Sequence, residues 1–268
     1  MKKISELINL KGRFALVTGG AGHIGLAICE SLMELGANVC ILDIDEEMCR
    51  SRCNILNKGD YLGKAYPIPV DLSNEIQTRQ AVENSACIMG GLDIIIHSAA
   101  FVGTTLYPGW AVSFEEQSVA AWDASMRVNL TSAFVIVQEG EKYLKKSKKS
   151  SVIFISSIYG IVGTDMRLYE GTNMATPAGY AASKGGLIQL SRYFATLFAP
   201  KIRFNVISAG GVWRNQHEVF HKRYVERTPM KRMATEEDFK GAIAFLASDL
   251  SAYVTGENLV IDGGWSVW

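Results

Sequence analysis

The chain has 268 residues, with 27 lysines and arginines balancing 27 aspartates and glutamates, 48% hydrophobic residues and 20% charged residues. This composition excludes a disordered chain or a coiled coil, and the zero formal net charge lacks the basic footprint of a nucleic-acid binder. No apolar run reaches the ~18–20 residues of a membrane span, and the opening MKKISELINLKG has no apolar signal core.

Strand-like runs occur at 13–18, 38–43, 65–70, 92–97, 151–156, 203–207 and 258–261. Several, such as VIFIS and LDIII, are apolar on both faces, as strands of a parallel sheet covered on both sides must be. Helical patterns lie between them. The clearest spans 180–197, where Leu187, Leu190, Phe194 and Leu197 recur at spacings of three and four. Alternating strands and helices with no Pro-, Gly- or Ser-rich linker predict one α/β domain over 1–268, a doubly wound Rossmann-type parallel sheet. The lysine run at 145–149 reads as the solvated end of a helix. Five cysteines without a CxxC pair read as reduced thiols of a cytoplasmic protein. Cys49 and Cys53 stand one helical turn apart with no second ligand pair, so no metal is expected.

The first strand runs into GGAGHIG and then a helix, the context in which a glycine motif is informative. Gly19 and Gly20 suit a tight turn, Gly22 lets backbone approach a pyrophosphate, and Gly25 lets the helix pack on the strand. The second strand ends in Asp43, eighteen residues after Gly25. A carboxylate there accepts hydrogen bonds from ribose hydroxyls and repels a 2′-phosphate, which favours NAD(H) over NADP(H). Asp71, in VDLS, is placed either beside the adenine ring or as a helix N-cap.

The fifth strand ends in Ser156-Ser157, and Tyr180-Ala-Ala-Ser-Lys184 follows. Tyrosine and lysine at i and i+4 share one helix face, directed at the carboxyl ends of the strands. With the glycine turn and the Ser-Ser strand end, the whole chain resembles the compact branch of the short-chain dehydrogenase/reductase family. The tail TGENLVIDGGW and the stretch RTPMKRMATEEDFKGAIAFLASD resemble that family's closing signature. The resemblance implies an active site of Ser157, Tyr180, Lys184 and Asn129. It also implies cofactor contacts from Gly19, Gly22, His23, Ile24, Gly25, Asp43, Asp71, Leu72, Ala99, Tyr180, Lys184, Gly210 and Val212. Tyr180 would then exchange the proton of a carbonyl oxygen, Ser157 would hydrogen-bond that oxygen, and Asn129 would hold a water behind Lys184. A free phenol titrates near ~10. An ammonium ~5–6 Å away at an effective dielectric of ~20 contributes roughly 3 kcal/mol toward lowering it, before desolvation opposes.

Three departures from the family pattern stand out. His23 replaces a glycine, so either it tolerates the turn's geometry or the turn is altered. His97-Ser-Ala-Ala100 replaces Asn-Asn-Ala-Gly, which puts hydrogen bonding at that strand end in question. Ala209-Gly-Gly211 replaces Pro-Gly, followed by Val212-Trp-Arg214 where a threonine is common.

The interval from Ser157 to Tyr180 carries extra residues around 164–174, expected to overhang the substrate. Asp165, Arg167, Tyr169, Glu170, Thr172 and Asn173 would offer it polar groups, with Met166, Leu168 and Met174 pinning the loop. As a surface loop it is expected to add little stability. Arg214, Asn215 and Gln216 would form a second polar wall. IYGIVGTDMRLYEGTNM, WRNQ and RTPMKRM also resemble oxidoreductases of flagellin-modification and nonulosonate pathways, which implies a sugar or sugar-phosphate substrate. The alternatives are a 3-oxoacyl-thioester reductase and a catalytically silent NAD-sensing scaffold. The two tail indoles, Trp265 and Trp268, predict a subunit contact, and the family resemblance implies a homotetramer.

Overall fold

The computed structural model describes residues 1–268. Seven parallel strands are ordered β3-β2-β1-β4-β5-β6-β7. They are β1 (Phe14–Thr18), β2 (Asn38–Asp43), β3 (Ala65–Pro69), β4 (Ile94–His97), β5 (Ser150–Ser157), β6 (Ile202–Ala209) and β7 (Asn258–Ile261). The helices are α1 (Ile4–Leu7), α2 (His23–Glu34), α3 (Glu46–Lys58), α4 (Glu75–Met89), α5 (Val119–Met126), α6 (Ser132–Leu144), α7 (Ala178–Phe198), α8 (Glu218–Arg227) and α9 (Lys240–Ala247).

The period of two along each strand splits the core into two layers. Ala15, Val17, Ile94, Ile96, Ile153 and Ile155 face the layer under α2 and α9. Leu16, Ile95, Val152 and Phe154 face the opposite layer, under α4, α6 and α7. All eight residues of β5 are buried, which is why that strand shows no polar face in the sequence.

Helix starts follow side-chain chemistry. Asp45 caps α3 through Met48 N, Asn74 caps α4 through Gln77 N, and Ser118 caps α5 through Ala121 N. Helix α4 stops at Gly90, whose φ of 81° suits glycine. The strand order reverses between β1 and β4, and a crevice opens at the carboxyl ends of strands on either side of such a reversal. Cys29, Cys40, Cys49 and Cys53 are buried free thiols, and Cys87 is exposed. No helix is long and apolar enough to cross a membrane.

Candidate active site

The glycine turn lies at that reversal. Gly19 has φ of +63°, and a Cβ there would stand 2.8 Å from the backbone of Ala99, so turn and β4 end touch. At Gly25 a Cβ would meet the Gly19 carbonyl oxygen at 1.9 Å. Helix α2 begins after Gly22 without a side-chain cap, which leaves its leading amides for an anion. Half-buried Asp43 closes β2 beside the turn. Its Oδ2 accepts from Ala21 N at 3.2 Å and its Oδ1 from Ile44 N at 2.8 Å. A cradle that side chains would fill, a free helix start and a flanking carboxylate fit a dinucleotide.

The other positions in this region are placed as follows. His23 is the first residue of α2 in ordinary helical backbone, so the turn keeps its shape and His23 bears no strain. Ile24 packs on the core behind it. Asp71 is not the N-cap of α4, a role taken by Asn74; its carboxylate instead accepts from Ser73 N at 2.8 Å in a local turn. Leu72 is buried in the core. The Gly210 amide donates to Ile261 O at 2.8 Å, and a Cβ at this glycine would meet Asp262 Cα at 2.8 Å. Val212 bridges to Ala234.

Ser157, Tyr180 and Lys184 come together at the end of β5 and the first turns of α7. Ser156 Oγ donates to Lys184 O at 2.7 Å, fastening helix to strand. Lys184 Nζ donates to Ile155 O at 2.8 Å and lies 5.6 Å from the Tyr180 ring centroid. Burial pushes the Lys184 ammonium down to about 8. Burial also raises the Tyr180 phenol above its usual value, with the neighbouring Ser157 hydroxyl opposing the rise. The charge of Lys184 is expected to pull this phenol down, but in the free protein desolvation prevails.

Asn129 is fully buried in a π-helical turn, Arg127–Thr131, that follows α5. Its amide is spent on structure: Nδ2 donates to Ser183 Oγ at 2.9 Å, and Oδ1 accepts from Phe101 N at 2.6 Å. Any water at Asn129 must therefore use its carbonyl.

That carbonyl already has a partner that sequence reasoning missed. Thr18 Oγ1 accepts from Ser98 N and Ala99 N, so its own hydrogen goes to His97 Nδ1, 2.9 Å away. His97 Nε2 then carries the ring proton and donates to Asn129 O at 3.2 Å. Burial, with Lys184 nearby, pushes His97 down to about 3 and keeps it neutral. Through His97 a hydrogen-bonded link thus runs from the end of β1 to Asn129. Its only sequence signal was a histidine where the family pattern has asparagine.

The 164–174 segment is not a free overhang. Asp165 pairs with Arg167 and Arg227, while Arg223 Nη1 donates to the carbonyls of Arg167 and Glu170. Tyr169 hydrogen-bonds Tyr159 (2.8 Å) and Thr176. Leu168 enters a small core with Ile158, Phe220, Tyr224, Met233 and Trp265. Met174 packs on that core, but Met166 is exposed. Of the polar groups expected to face substrate, Asp165 is thus committed to α8, and the hydroxyls of Tyr169 and Thr172 to bonds within 159–176. Gln216 is also a loop staple, bonded to Arg214 N and Val212 O at 2.7 Å each.

The expectation that this segment adds little stability rested on its being a surface loop, whereas Leu168 is 3% exposed. Leu168→Ala is expected to cost about 2–4 kcal/mol in urea unfolding, and a loss under 0.5 kcal/mol would mean the segment is a mere surface loop. Trp265 is likewise a core residue, fully buried and stacked on Tyr224 at 5.9 Å. Trp268 is exposed, with its Nε1 donating to Arg227 O at 2.9 Å.

Known proteins share this fold over nearly the whole chain. A family model described as enoyl-(acyl carrier protein) reductase matches residues 19–266. The sorbose reductase sou1 of Schizosaccharomyces pombe is 29% identical over 98% of this chain and 99% of its own. Post-translational flagellin modification protein A of Campylobacter coli is 27% identical over 96% of this chain and 100% of its own. A Leptospira borgpetersenii short-chain dehydrogenase with bound NAD+ superposes with a TM-score of 0.83 at 30% identity, covering 99% of this chain and 96% of that one. The Pseudomonas aeruginosa RhlG/NADP complex superposes with a TM-score of 0.84 at 30% identity, covering 97% and 98%. The chain belongs to the short-chain dehydrogenase/reductase family.

Proposed function

We propose that this oxidoreductase uses NAD(H) to interconvert a secondary alcohol and a ketone on a polar, sugar-like substrate in the cytoplasm. The observation that carries the reading is the convergence of Ser157, Tyr180 and Lys184 at the mouth of the crevice beside the glycine turn. When bound, the nicotinamide supplies or accepts the hydride. Tyr180 gives its phenolic proton to the substrate oxygen in reduction and recovers it in oxidation. Ser157 Oγ hydrogen-bonds the same oxygen as charge develops on it. Lys184, held by Ile155 O, stabilises the phenolate with its charge and is placed to hold ribose hydroxyls. Asn129 and His97 keep the helix behind Lys184 in register with β4.

NAD(H) over NADP(H) rests on Asp43. Its carboxylate is fixed beside the turn, and a 2′-phosphate would meet it as a like charge. NAD is expected to exceed NADP by at least ~100-fold in specificity constant, from a repulsion of several kcal/mol at an effective dielectric of ~20. Spectrophotometric comparison of the two cofactors checks this; equal use would refute it.

The sugar-like substrate is supported by Arg167, Glu170 and Asn173, which remain exposed on the segment clasped to α8, and by the likeness to a sorbose reductase. A panel of sugars, sugar phosphates and an oxoacyl thioester, followed at the NADH absorbance, tests it. Preference for the thioester would replace the sugar reading, and no turnover with any carbonyl would favour a cofactor sensor. A homotetramer is supported by an apolar groove of about 560 Å³ between α6 and α7, lined by Leu130, Phe134, Leu190 and Tyr193. Light scattering that reports a monomer at micromolar concentration would contradict it. The exposed Trp268 would then serve no subunit contact.

A further inference from the structure

Two of the three departures from the family pattern, His23 and Arg214, meet at one carboxylate. Arg214 Nη1 lies 2.8 Å from Glu236 Oε1, and His23 Nδ1 lies 3.7 Å from the same oxygen. His23 opens α2, the helix whose uncapped start faces the glycine turn. Arg214 reaches it from the far wall, on the segment after β6. That segment is stapled in place: Trp213 N donates to Ala234 O and Ala234 N to Gly211 O, both at 2.9 Å. The three side chains therefore meet beside the start of α2, and the Arg214 side chain, whose Nη1 also donates to Trp213 O at 2.8 Å, is about one-quarter exposed.

We propose that Arg214 is a ligand of the cofactor's pyrophosphate, parked on Glu236 until the dinucleotide enters. The inference rests on the NAD(H) reading above and adds a residue to it. An arginine offers a pyrophosphate a planar fork of donors that a threonine at this position cannot. Glu236 carries one negative charge and the pyrophosphate two, so the guanidinium gains by moving to the ligand. Glu236 is left beside His23, the one other basic group within reach of that oxygen. Glu236 thus opposes cofactor binding in two ways: it competes for Arg214, and it places a like charge near the pyrophosphate.

This arrangement predicts opposite effects from the two halves of one ion pair. Calorimetric titration of the full chain with NADH and with ADP-ribose is the test. Arg214→Ala is expected to weaken both ligands about 10- to 100-fold, the range for a lost charge-assisted hydrogen bond. Arg214→Lys is expected to restore part of that loss. Glu236→Gln is expected to bind both ligands as tightly as wild type or up to about 10-fold more tightly. If the pair is only a structural strut, Glu236→Gln weakens the ligands in parallel with Arg214→Ala, and the proposal falls. It also falls if Arg214→Ala stays within twofold of wild type. Wild-type protein that binds neither NADH nor ADP-ribose overturns the NAD(H) reading itself, whereas wild-type binding of both with either of those variant results overturns this inference alone.

Discussion

Tyr180→Phe is expected to lower turnover by about two to four orders of magnitude, the range for removing a general acid–base group, while NADH affinity stays within a few-fold. The substitution removes one oxygen and leaves the ring, so its packing near Lys184, with the ammonium 5.6 Å from the ring centroid, persists. No other group is placed to take over. His97 is held neutral far below its usual range, and both ring nitrogens are engaged by Thr18 and Asn129. Tyr159 and Tyr169 are bonded to each other, with their phenols raised by burial. Steady-state kinetics on an identified substrate, with NADH binding measured by fluorescence, separates chemistry from binding. Near-normal turnover would sink the proposed mechanism.

The central strands were legible in the sequence because burial on both faces leaves an unbroken apolar run, and the structure keeps each of the seven runs, most with shifts at their ends. The run at 92–97 begins at Leu92, which is buried, yet the strand begins at Ile94, since apolarity reports burial and not ladder pairing. Ser157 and Asp43 were legible because strand ends in this topology face one crevice. Tyr180 and Lys184 were legible because i and i+4 fix a shared helix face. Local spacing carries no such information about the 164–174 segment. Its fastening is to Arg227, 62 residues from Asp165, and to Arg223, pairs that only the folded chain reveals. Trp265 misled for a related reason. An indole near the chain end looks exposed until Tyr224 is seen stacked on it and the Arg227 guanidinium lying over its ring, 4.2 Å from the centroid. The π-helical turn at Asn129 left no signature in RVNLT, because its extra residue is accommodated by backbone geometry alone.

Lys184→Met is expected to abolish useful turnover and, at neutral pH, to make the protein more stable. Lys184 is 3% exposed, and burial alone pushes it down from 10.5 to about 8. The unfolded chain therefore binds more protons than the folded one between those two values, so stability rises with pH across that window. The penalty is fully present below pH ~8, fades as pH climbs toward ~10.5, and is absent above. A shift of this size corresponds to about 3 kcal/mol. Methionine fills similar volume without a charge, but it gives up the bond to Ile155 O, which offsets about 1 kcal/mol. A net gain of about 1–3 kcal/mol in urea unfolding at pH 7 should therefore shrink to nothing or reverse above pH 10.5. Turnover moves the other way, because the phenolate of Tyr180 loses the positive charge that stabilises it and the ribose hydroxyls lose a donor. In the wild type, the same titration is expected to place a break in the pH–rate profile of the free enzyme near pH 8, a break that Lys184→Arg would displace upward. If Lys184→Met proves less stable than wild type at pH 7, burial of the ammonium does not carry this cost.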